Sequence, residues 1–157
     1  MKKTADPEQV AQFRKISRAY SDASILMHEA IARKAGLSGT DHKYLGLILQ
    51  KGEMTAGEIA GITGLTTGAV TGLIDRLEKK KLVRRRLDKS DRRKVMVVPD
   101  TRRTAELMTP LFADLDQKST DLIASFSDDE IQTIERYFRE AVRIMRETTE
   151  QLTNPPS

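Results

Sequence analysis

Two short helix signatures separated by a glycine turn constrain the fold of this chain more than any other feature. Thr55 and Glu58 have the spacing of a capping box, so a helix is expected to begin there and to end near Thr63, where a glycine follows. Thr66 is the expected N-cap of the next helix, which runs to about Lys80. Two such helices form a helix-turn-helix unit, which by itself is a weak indication of function.

Two runs rich in branched residues follow this unit, at residues 82–87 and 95–98, and they predict two short strands. The charged segment between them is too long for a two-residue hairpin turn. A β-hairpin with an extended basic tip, placed directly after a helix-turn-helix unit, is called a wing. Residues 40–100 are therefore predicted to form a winged helix-turn-helix region.

Long helical patterns flank this region on both sides. Asp6 and Pro7 provide a cap and a proline at the first helical position, and Ser127 with Glu130 provides a second capping box. The predicted flanking helices cover residues 7–34, 41–50, 100–126 and about 127–152. The tail at residues 154–157 contains two prolines and is not expected to continue the last helix. The predicted fold class is mainly α with a small β-hairpin wing.

The terminal helices have more apolar surface than one small core can cover. We expect residues 7–36 and 104–152 to act as dimerisation helices that pack together and against a second copy of the chain. With residues 40–100 they would form one winged helix-turn-helix chain of 157 residues, a length that fits a single domain. The pattern thus favours a homodimer, which is inferred as much from the family resemblance given below.

The composition argues against several classes of protein. The chain contains no cysteine, which excludes disulfides, thiolate metal sites and cysteine-based redox sensing. No apolar run approaches the roughly 18 residues of a spanning helix, and the basic N-terminus lacks the apolar stretch of a signal peptide. We therefore expect no membrane partner and a cytoplasmic location. Because no phosphate loop, nucleophile elbow, HExxH motif or plausible triad is present, we do not expect an enzyme.

Basic charge is concentrated in one segment of the chain. Residues 79–103 carry twelve Lys and Arg against three Asp, a net charge of +9. The other residues carry fifteen basic and twenty acidic side chains, a net charge of −5. A basic block in an otherwise acidic protein suits binding to phosphates. A solvated charged face is the alternative, and charge alone does not decide between the two.

The second helix of the unit has an apolar face and a small, hydroxyl-bearing face. The positions expected to face the core are Val70, Leu73, Ile74 and Leu77. The exposed stripes are Thr67, Thr71 and Asp75 and, beside them, Gly68, Gly72 and Arg76. Small residues allow a helix to approach the floor of the major groove, where threonine can contact bases or phosphates. Because glycine in mid-helix costs up to ~1 kcal/mol, Gly72 indicates either a close approach or drift without function.

The predicted hairpin tip is a cluster of cations with one acid among them. Its cations are Lys89, Arg92, Arg93 and Lys94. An arginine at such a tip can enter a narrow minor groove. We expect Asp91, two residues before Arg93, to hold that guanidinium through a salt bridge. The alternative is a local surface ion pair worth only ~0.5 kcal/mol.

Taken together, these residues resemble the MarR family, the multiple-antibiotic-resistance-type regulators. The resemblance rests on residues 64–78, on Leu82-Val83-Arg84-Arg85, and on Asp88 followed by Asp91-Arg92-Arg93 and Val95. It implies a winged-helix dimer whose terminal helices interdigitate. It also implies that each recognition helix enters a major groove of a pseudo-palindromic operator on double-stranded DNA.

The resemblance also assigns roles to individual residues. It places four residues in the part of the recognition helix that contacts bases and phosphates: Thr66, Thr67, Gly68 and Thr71. It makes Arg93 the wing arginine and Asp91 its orienting acid, and Arg76, Arg92 and Lys94 complete the predicted DNA contacts. Many relatives have a larger residue at the position of Gly72, so their operator sequences cannot be transferred to this chain.

The expected function is that of a sequence-specific transcriptional regulator, a repressor, that binds DNA as a homodimer. The alternative is a winged-helix protein-interaction module without specific DNA binding. In such an interaction module the basic tip has no function, so substitution of Arg93 by alanine would leave the activity of the module intact.

The resemblance further implies a site for a small aromatic or phenolic effector that releases the dimer from DNA. By position, six residues are candidates to line it: Met27, His28, His42, Leu45, Met108 and Phe112. Taken singly, Met27, Leu45, Met108 and Phe112 are more readily explained as core. A metal site at His28 and His42, assisted by Glu29 or Asp41, is a weak alternative because zinc sites usually have more ligands of this kind. No metal and no cofactor are expected.

Overall fold

The order of the elements agrees with the sequence analysis, with one short strand added. A computed structural model describes residues 6–153, so residues 1–5 and the predicted tail at 154–157 lie outside the described part. The elements are α1 (Pro7–Lys34), α2 (Gly39–Lys51), β1 (Met54–Thr55), α3 (Ala56–Thr63), α4 (Thr67–Lys79), β2 (Val83–Leu87), β3 (Val95–Pro99), α5 (Thr101–Ala124) and α6 (Asp128–Thr153). Helices α3 and α4 form the helix-turn-helix unit, and β2, β3 and the loop between them form the wing.

Side-chain caps determine where the helices of the unit begin. Thr55 and Glu58 form the predicted capping box: Thr55 Oγ1 accepts from the backbone N–H of Glu58 at 3.2 Å, and Glu58 Oε2 accepts from that of Thr55 at 2.7 Å. The bond from the Thr55 N–H and a further one from the Thr55 hydroxyl, at 2.9 Å, lower the pKa of the Glu58 carboxyl. Thr66 Oγ1 accepts from the N–H of Ala69 at 3.3 Å and caps α4, as predicted.

Helix α2 begins earlier than the sequence analysis predicts. Ser38 is its N-cap, and Ser38 Oγ accepts from the backbone N–H of Asp41 at 3.0 Å. The helix therefore starts at Gly39 instead of residue 41. The prediction started at an acid that is common in a first turn, whereas the hydroxyl three residues earlier is the cap.

The sheet has three antiparallel strands in the order β1-β3-β2. The predicted hairpin is confirmed, with Arg85 opposite Val97 in its register. Strand β1 was not predicted: its Met54 pairs with Val97 and its Thr55 with Met96. A strand of two residues has no alternation that could reveal it. It joins the beginning of α3 to the wing.

The core lies around α4. Val70, Leu73, Ile74 and Leu77, the four residues predicted to face inward, are at most 1% exposed. They share the core with buried residues from α2, α3 and the wing: Leu45, Ile48, Ile59, Leu82, Val83 and Val97. Rotation of α4 about its axis would expose these side chains, so the core fixes the orientation of the helix.

Contacts within the chain define two compact units that meet between Phe112 and Ala113. The first contains the winged helix-turn-helix region, α1 and the first half of α5. The second contains the rest of α5 and all of α6. Within residues 6–153, none of the helices combines the length and the apolar character needed to cross a bilayer.

Helix α4 ends in a Schellman motif whose left-handed residue is a lysine. The N–H of Leu82 donates to the carbonyl of Leu77 at 3.0 Å, and that of Lys81 donates to Glu78 at 2.8 Å. Lys81 has a φ of 60°, and no other non-glycine residue in the described part has a positive φ. For a residue with a side chain, this conformation costs roughly 1–2 kcal/mol.

We expect Lys81→Gly to raise the free energy of unfolding by about 0.5–1 kcal/mol, because glycine adopts this φ without strain. A gain of about 1 kcal/mol would raise Tm by roughly 2–4 °C. Urea denaturation and thermal melting would measure both. Lys79→Gly is the matched control and should lower stability, since Lys79 lies within the helix. Loss of stability in both variants would contradict strain at Lys81.

Candidate nucleic-acid interface

The exposed face of α4 consists of small and hydroxyl-bearing residues. Thr66, Thr67, Gly68 and Thr71 are all exposed. Thr71 Oγ1 donates to the carbonyl of Thr67 at 3.0 Å, so its oxygen remains available to accept. The hydroxyl of Thr67 makes no hydrogen bond to any residue between 6 and 153. This end of the helix therefore offers acceptors, a free hydroxyl, methyl groups and unpaired backbone N–H groups.

Asp88, which the sequence analysis did not identify as a functional residue, orders the loop of the wing. Its Oδ1 accepts from the hydroxyl of Ser90 at 2.6 Å and from the N–H groups of Ser90 and Asp91, each at 2.8 Å. These hydrogen bonds, that of the Ser90 hydroxyl foremost, lower the pKa of Asp88 to about 2. An aspartate two residues before a serine at the end of a strand is typical of an Asx turn, so the signal was present in the sequence.

Asp91 has a different role from the one predicted. Its Oδ1 accepts from the backbone N–H of Arg93 at 3.1 Å, and its carbonyl accepts from the N–H of Lys94 at 2.9 Å. The predicted salt bridge to the Arg93 guanidinium is absent from the described residues, because the short carboxylate reaches the N–H two residues on. Asp91 thus shapes the loop, and the charge of Arg93 is left exposed.

The cations of the wing loop form no ion pairs with the residues that the structure describes. Within the described part of the chain, no carboxylate lies within 4.0 Å of the charged groups of Lys89, Arg92, Arg93 or Lys94. All four side chains are exposed. The loop therefore presents its positive charges to solvent or to a ligand.

The arginines of β2 are used differently, because two of the three are paired within the fold. Arg85 bonds to Asp75 at 2.5 Å and to Glu78, which connects β2 to α4. These bonds, that to Asp75 foremost, raise the pKa of Arg85. Arg86 pairs with Glu53. Part of the charge counted in the basic segment is thus neutralised, and four of the eight cations that form no ion pair among residues 6–153 lie in the wing loop.

Arg76, a predicted DNA contact, is also paired within the molecule. Its Nε lies 2.9 Å from Asp41 Oδ2 and its Nη2 lies 2.7 Å from Asp41 Oδ1. The hydrogen bonds to Asp41 raise the pKa of Arg76. A Cβ atom at Gly72 would lie 3.3 Å from Arg76 Nη1. The close approach that Gly72 indicated is therefore made by Arg76 of the same helix.

A cavity of about 790 Å³ lies among α1, α2 and α5. Its lining consists of Ser24, Ile25, His28, Glu29, Gly39, Thr40, His42, Lys43, Gly46 and Phe112. The ring centroids of His28 and His42 are 5.5 Å apart, and Phe112 stacks on His42 at 6.2 Å. The cavity thus combines aromatic surface with a lysine and two imidazoles.

The structure places only half of the predicted effector residues in this lining. His28, His42 and Phe112 lie in it, whereas Leu45 and Met108 are buried in the core and Met27 packs against that core. Helical periodicity explains the difference in α2, since His42 and Gly46 share one face and Leu45 lies on another. No group of three or more potential metal ligands occurs in residues 6–153.

Burial in the cavity wall, together with the neighbouring His28, lowers the pKa of His42 below its usual 6.5. The unfolded chain then holds a proton at His42 more tightly than the folded chain does. The contribution of His42 to the free energy of unfolding is therefore fully present above about pH 6.5. It is lost as the pH falls towards the pKa of His42 in the folded chain.

We expect the free energy of unfolding to fall less between pH 7.5 and pH 5.5 in His42→Gln than in the unsubstituted protein. Urea denaturation at the two pH values measures this difference, and titrating groups that do not interact with His42 cancel in the comparison. An equal fall in both proteins would show that His42 is not linked to stability.

The geometry of the chain can be compared with that of known proteins. The family model described as MarR family matches residues 37–95. An HTH-type transcriptional regulator of Bacillus subtilis (strain 168), the uncharacterized YcgE, is 38% identical over 135 residues, which cover 86% of this chain and 87% of that protein.

Solved structures share the fold. A MarR family protein from Bacillus stearothermophilus has a TM-score of 0.70 at 24% identity and covers 91% of this chain and 99% of its own. A mutant MarR from E. coli complexed with operator DNA has a TM-score of 0.56 at 19% identity, covering 87% of this chain and 99% of its own. The family match, the long alignment with YcgE and the winged helix-turn-helix fold show that the chain belongs to the MarR family, whose members are transcriptional regulators and not enzymes.

Proposed function

We propose that the protein is a repressor that binds a pseudo-palindromic operator on double-stranded DNA as a homodimer. The observation that carries this proposal is the contrast between two exposed surfaces of the winged region. The first half of helix α4 presents uncharged, hydroxyl-bearing residues, and the wing loop presents exposed cations whose charged groups have no carboxylate of residues 6–153 within 4.0 Å. Base edges are read by hydrogen bonds and methyl contacts, whereas phosphates are bound by charge.

Helix α4 is suited to enter the major groove. Thr67, Gly68 and Thr71 lie in its first half, next to N–H groups that α4 leaves unpaired and that favour a phosphate. The small side chains let the backbone come close to the bases. Thr66, whose oxygen caps the helix, still has a hydroxyl proton to donate to a phosphate.

The wing supplies the electrostatic part of the binding. Arg93 is the residue for the minor groove, while Arg92 and Lys94 bind phosphates on either side. Asp88 and Asp91 hold the loop by hydrogen bonds to its backbone and leave the arginines free. The operator complex of the similar E. coli protein supports DNA as the partner.

The apolar surface of α6 supports the homodimer. Ile134, Val142 and Met145 lie on one face of the helix and are 37%, 44% and 67% exposed. Several charged residues of the helix instead pair with each other, such as Arg143 with Glu140 and Glu147. A helix with one apolar stripe and one polar face is typically covered on the apolar side. A second copy of α6 offers the matching surface.

The cavity supports regulation by a small aromatic anion. The rings of Phe112 and His42 provide stacking surface, and Lys43 provides a positive charge in the same lining. Such a molecule releases the repressor only if it binds the DNA-competent and DNA-incompetent dimers with different affinity. A hundredfold loss of operator affinity corresponds to a coupling of about 2.7 kcal/mol.

Selection of bound duplexes from a random DNA pool tests the function directly. We expect enrichment of a pseudo-palindrome with half-sites about one helical turn apart. On this operator, Thr71→Ala should change preference at particular base pairs by about 1–3 kcal/mol. Arg92→Gln or Lys94→Gln should weaken binding to all sequences and reduce the slope of log K against log salt by about 1.

Lys118→Gln is the control for loss of a positive charge outside this interface, since Lys118 is an exposed residue of α5 paired with Asp114. It should leave affinity and salt slope unchanged. If the wing variants behaved like Lys118→Gln, the wing would not bind phosphate. If no sequence were enriched, the protein-interaction module would become the better explanation.

We expect Val142→Glu to weaken the dimer at least a hundredfold, which sedimentation velocity over a range of protein concentrations measures. Two copies of the substitution meet in a symmetric interface, and together they lose apolar burial worth about 3 kcal/mol before the cost of burying charge. Arg136→Glu introduces the same carboxylate at an exposed position on another face of the same helix and should have a much smaller effect. Equal dimerisation of the two variants would exclude the apolar stripe of α6 from the interface.

A further inference from the structure

The ion pair between Asp41 and Arg76 joins α2 to the recognition helix α4. The Asp41 side chain is 5% exposed, and both of its oxygens accept from the guanidinium, at 2.7 to 3.2 Å. Removing one partner of such a pair leaves the other charge uncompensated, which is strongly destabilising when that charge is buried. Movement of the first turn of α2 therefore either moves α4 or breaks the pair.

The Arg76 guanidinium lies close over Gly72 on the surface of the recognition helix. Because Gly72 has no side chain, the Arg76 guanidinium can lie along the helix, where a Cβ atom would approach its Nη1 to 3.3 Å. The pair thus bears on the same stripe of α4 as Gly68 and Gly72, beside the threonines of the proposed DNA-contacting face.

The neighbours of Asp41 in sequence line the cavity. Thr40 and His42 both contribute to its wall, as does Gly39. The whole turn is held by Ser38, whose Oγ accepts from the N–H of Asp41 at 3.0 Å and whose carbonyl accepts from that of His42 at 3.0 Å. A molecule that shifts the backbone of this turn at Thr40 or His42 consequently shifts Asp41.

We infer that the Asp41–Arg76 pair, seated over Gly72, transmits occupancy of the cavity to the recognition helix. Asp41 is in this sense a positioning residue, which acts on DNA binding through Arg76. The inference rests on the proposed function, since it concerns the regulation of the same DNA-binding surface. Coupling of this kind requires an element with two arrangements that both sites favour differently, and the proposed arrangements are the pair formed and the pair broken.

A filled cavity can replace the ligand in the test. Gly46 lines the cavity, and a Cβ atom built there meets nothing within 4 Å. Gly46→Leu therefore puts a side chain into the cavity, and Gly46→Ala is the matched control, which gains the same helix propensity without filling the space. Affinity for the selected operator is measured by fluorescence anisotropy for both variants, each with and without Asp41→Asn.

We expect Gly46→Leu to bind the operator at least tenfold more weakly than Gly46→Ala. With Asp41→Asn also present, the difference should fall below threefold. A purely structural role of Asp41 would lower stability and affinity in both combinations but leave the tenfold ratio unchanged. That result would overturn the inference, and so would equal operator affinity of Gly46→Leu and Gly46→Ala.

Arg76→Lys provides a second test if Asp41→Asn does not fold, because lysine keeps the charge and loses the two-pronged bond. It should likewise reduce the ratio. Failure of the proposed function and failure of the inference about the ion pair give different results. If the unsubstituted protein enriches no operator, the proposed function fails and the inference fails with it. If it binds an operator and the ratio survives both substitutions, only the inference fails.

Discussion

The burial of one face of α4 is the constraint on which the other features depend. Val70, Leu73, Ile74 and Leu77 are in the core, so the orientation of the helix about its axis is fixed by its largest apolar contacts. Helical periodicity then requires Thr67 and Thr71 to point outward. The wing strands contribute to the same core through Val83 and Val97. The two surfaces that meet the proposed DNA are therefore held by one set of buried side chains.

Ion pairs add further contacts between β2 and its neighbours and change the distribution of free charge. Arg85 connects β2 to Asp75 and Glu78 of α4, and Arg86 connects it to Glu53 just before β1. Exposed pairs of this kind add little to stability singly, about 0–1 kcal/mol. Their larger effect is on the distribution of charge, because they neutralise the arginines nearest the core. The cations that remain unpaired in the wing loop are the ones a phosphate would meet.

Features determined by neighbouring residues could be predicted from the sequence, and features determined by distant ones could not. The capping box at Thr55, the N-cap at Thr66 and the inward face of α4 depend on residues within one or two turns. Strand β1 and the Asp41–Arg76 pair join segments that are 30 to 40 residues apart or more, and no local pattern marks them. The misassigned role of Asp91 shows a further limit: charge pairing was expected where a backbone hydrogen bond was geometrically closer.

The pairing of Arg76 with Asp41 would separate the source of sequence specificity, in α4, from the source of electrostatic affinity for DNA, in the wing loop. With that guanidinium bound inside the molecule, the exposed stripe of Thr67, Gly68 and Thr71 has no free cation within it. Contacts from α4 to DNA would then consist of short-range hydrogen bonds, methyl contacts and the N–H groups at the helix terminus, which depend weakly on salt. The salt-dependent attraction would come from the wing loop, whose charges depend on the Asp88 turn for their position. Sequence reading and electrostatic attachment are thus assigned to two elements that share one core.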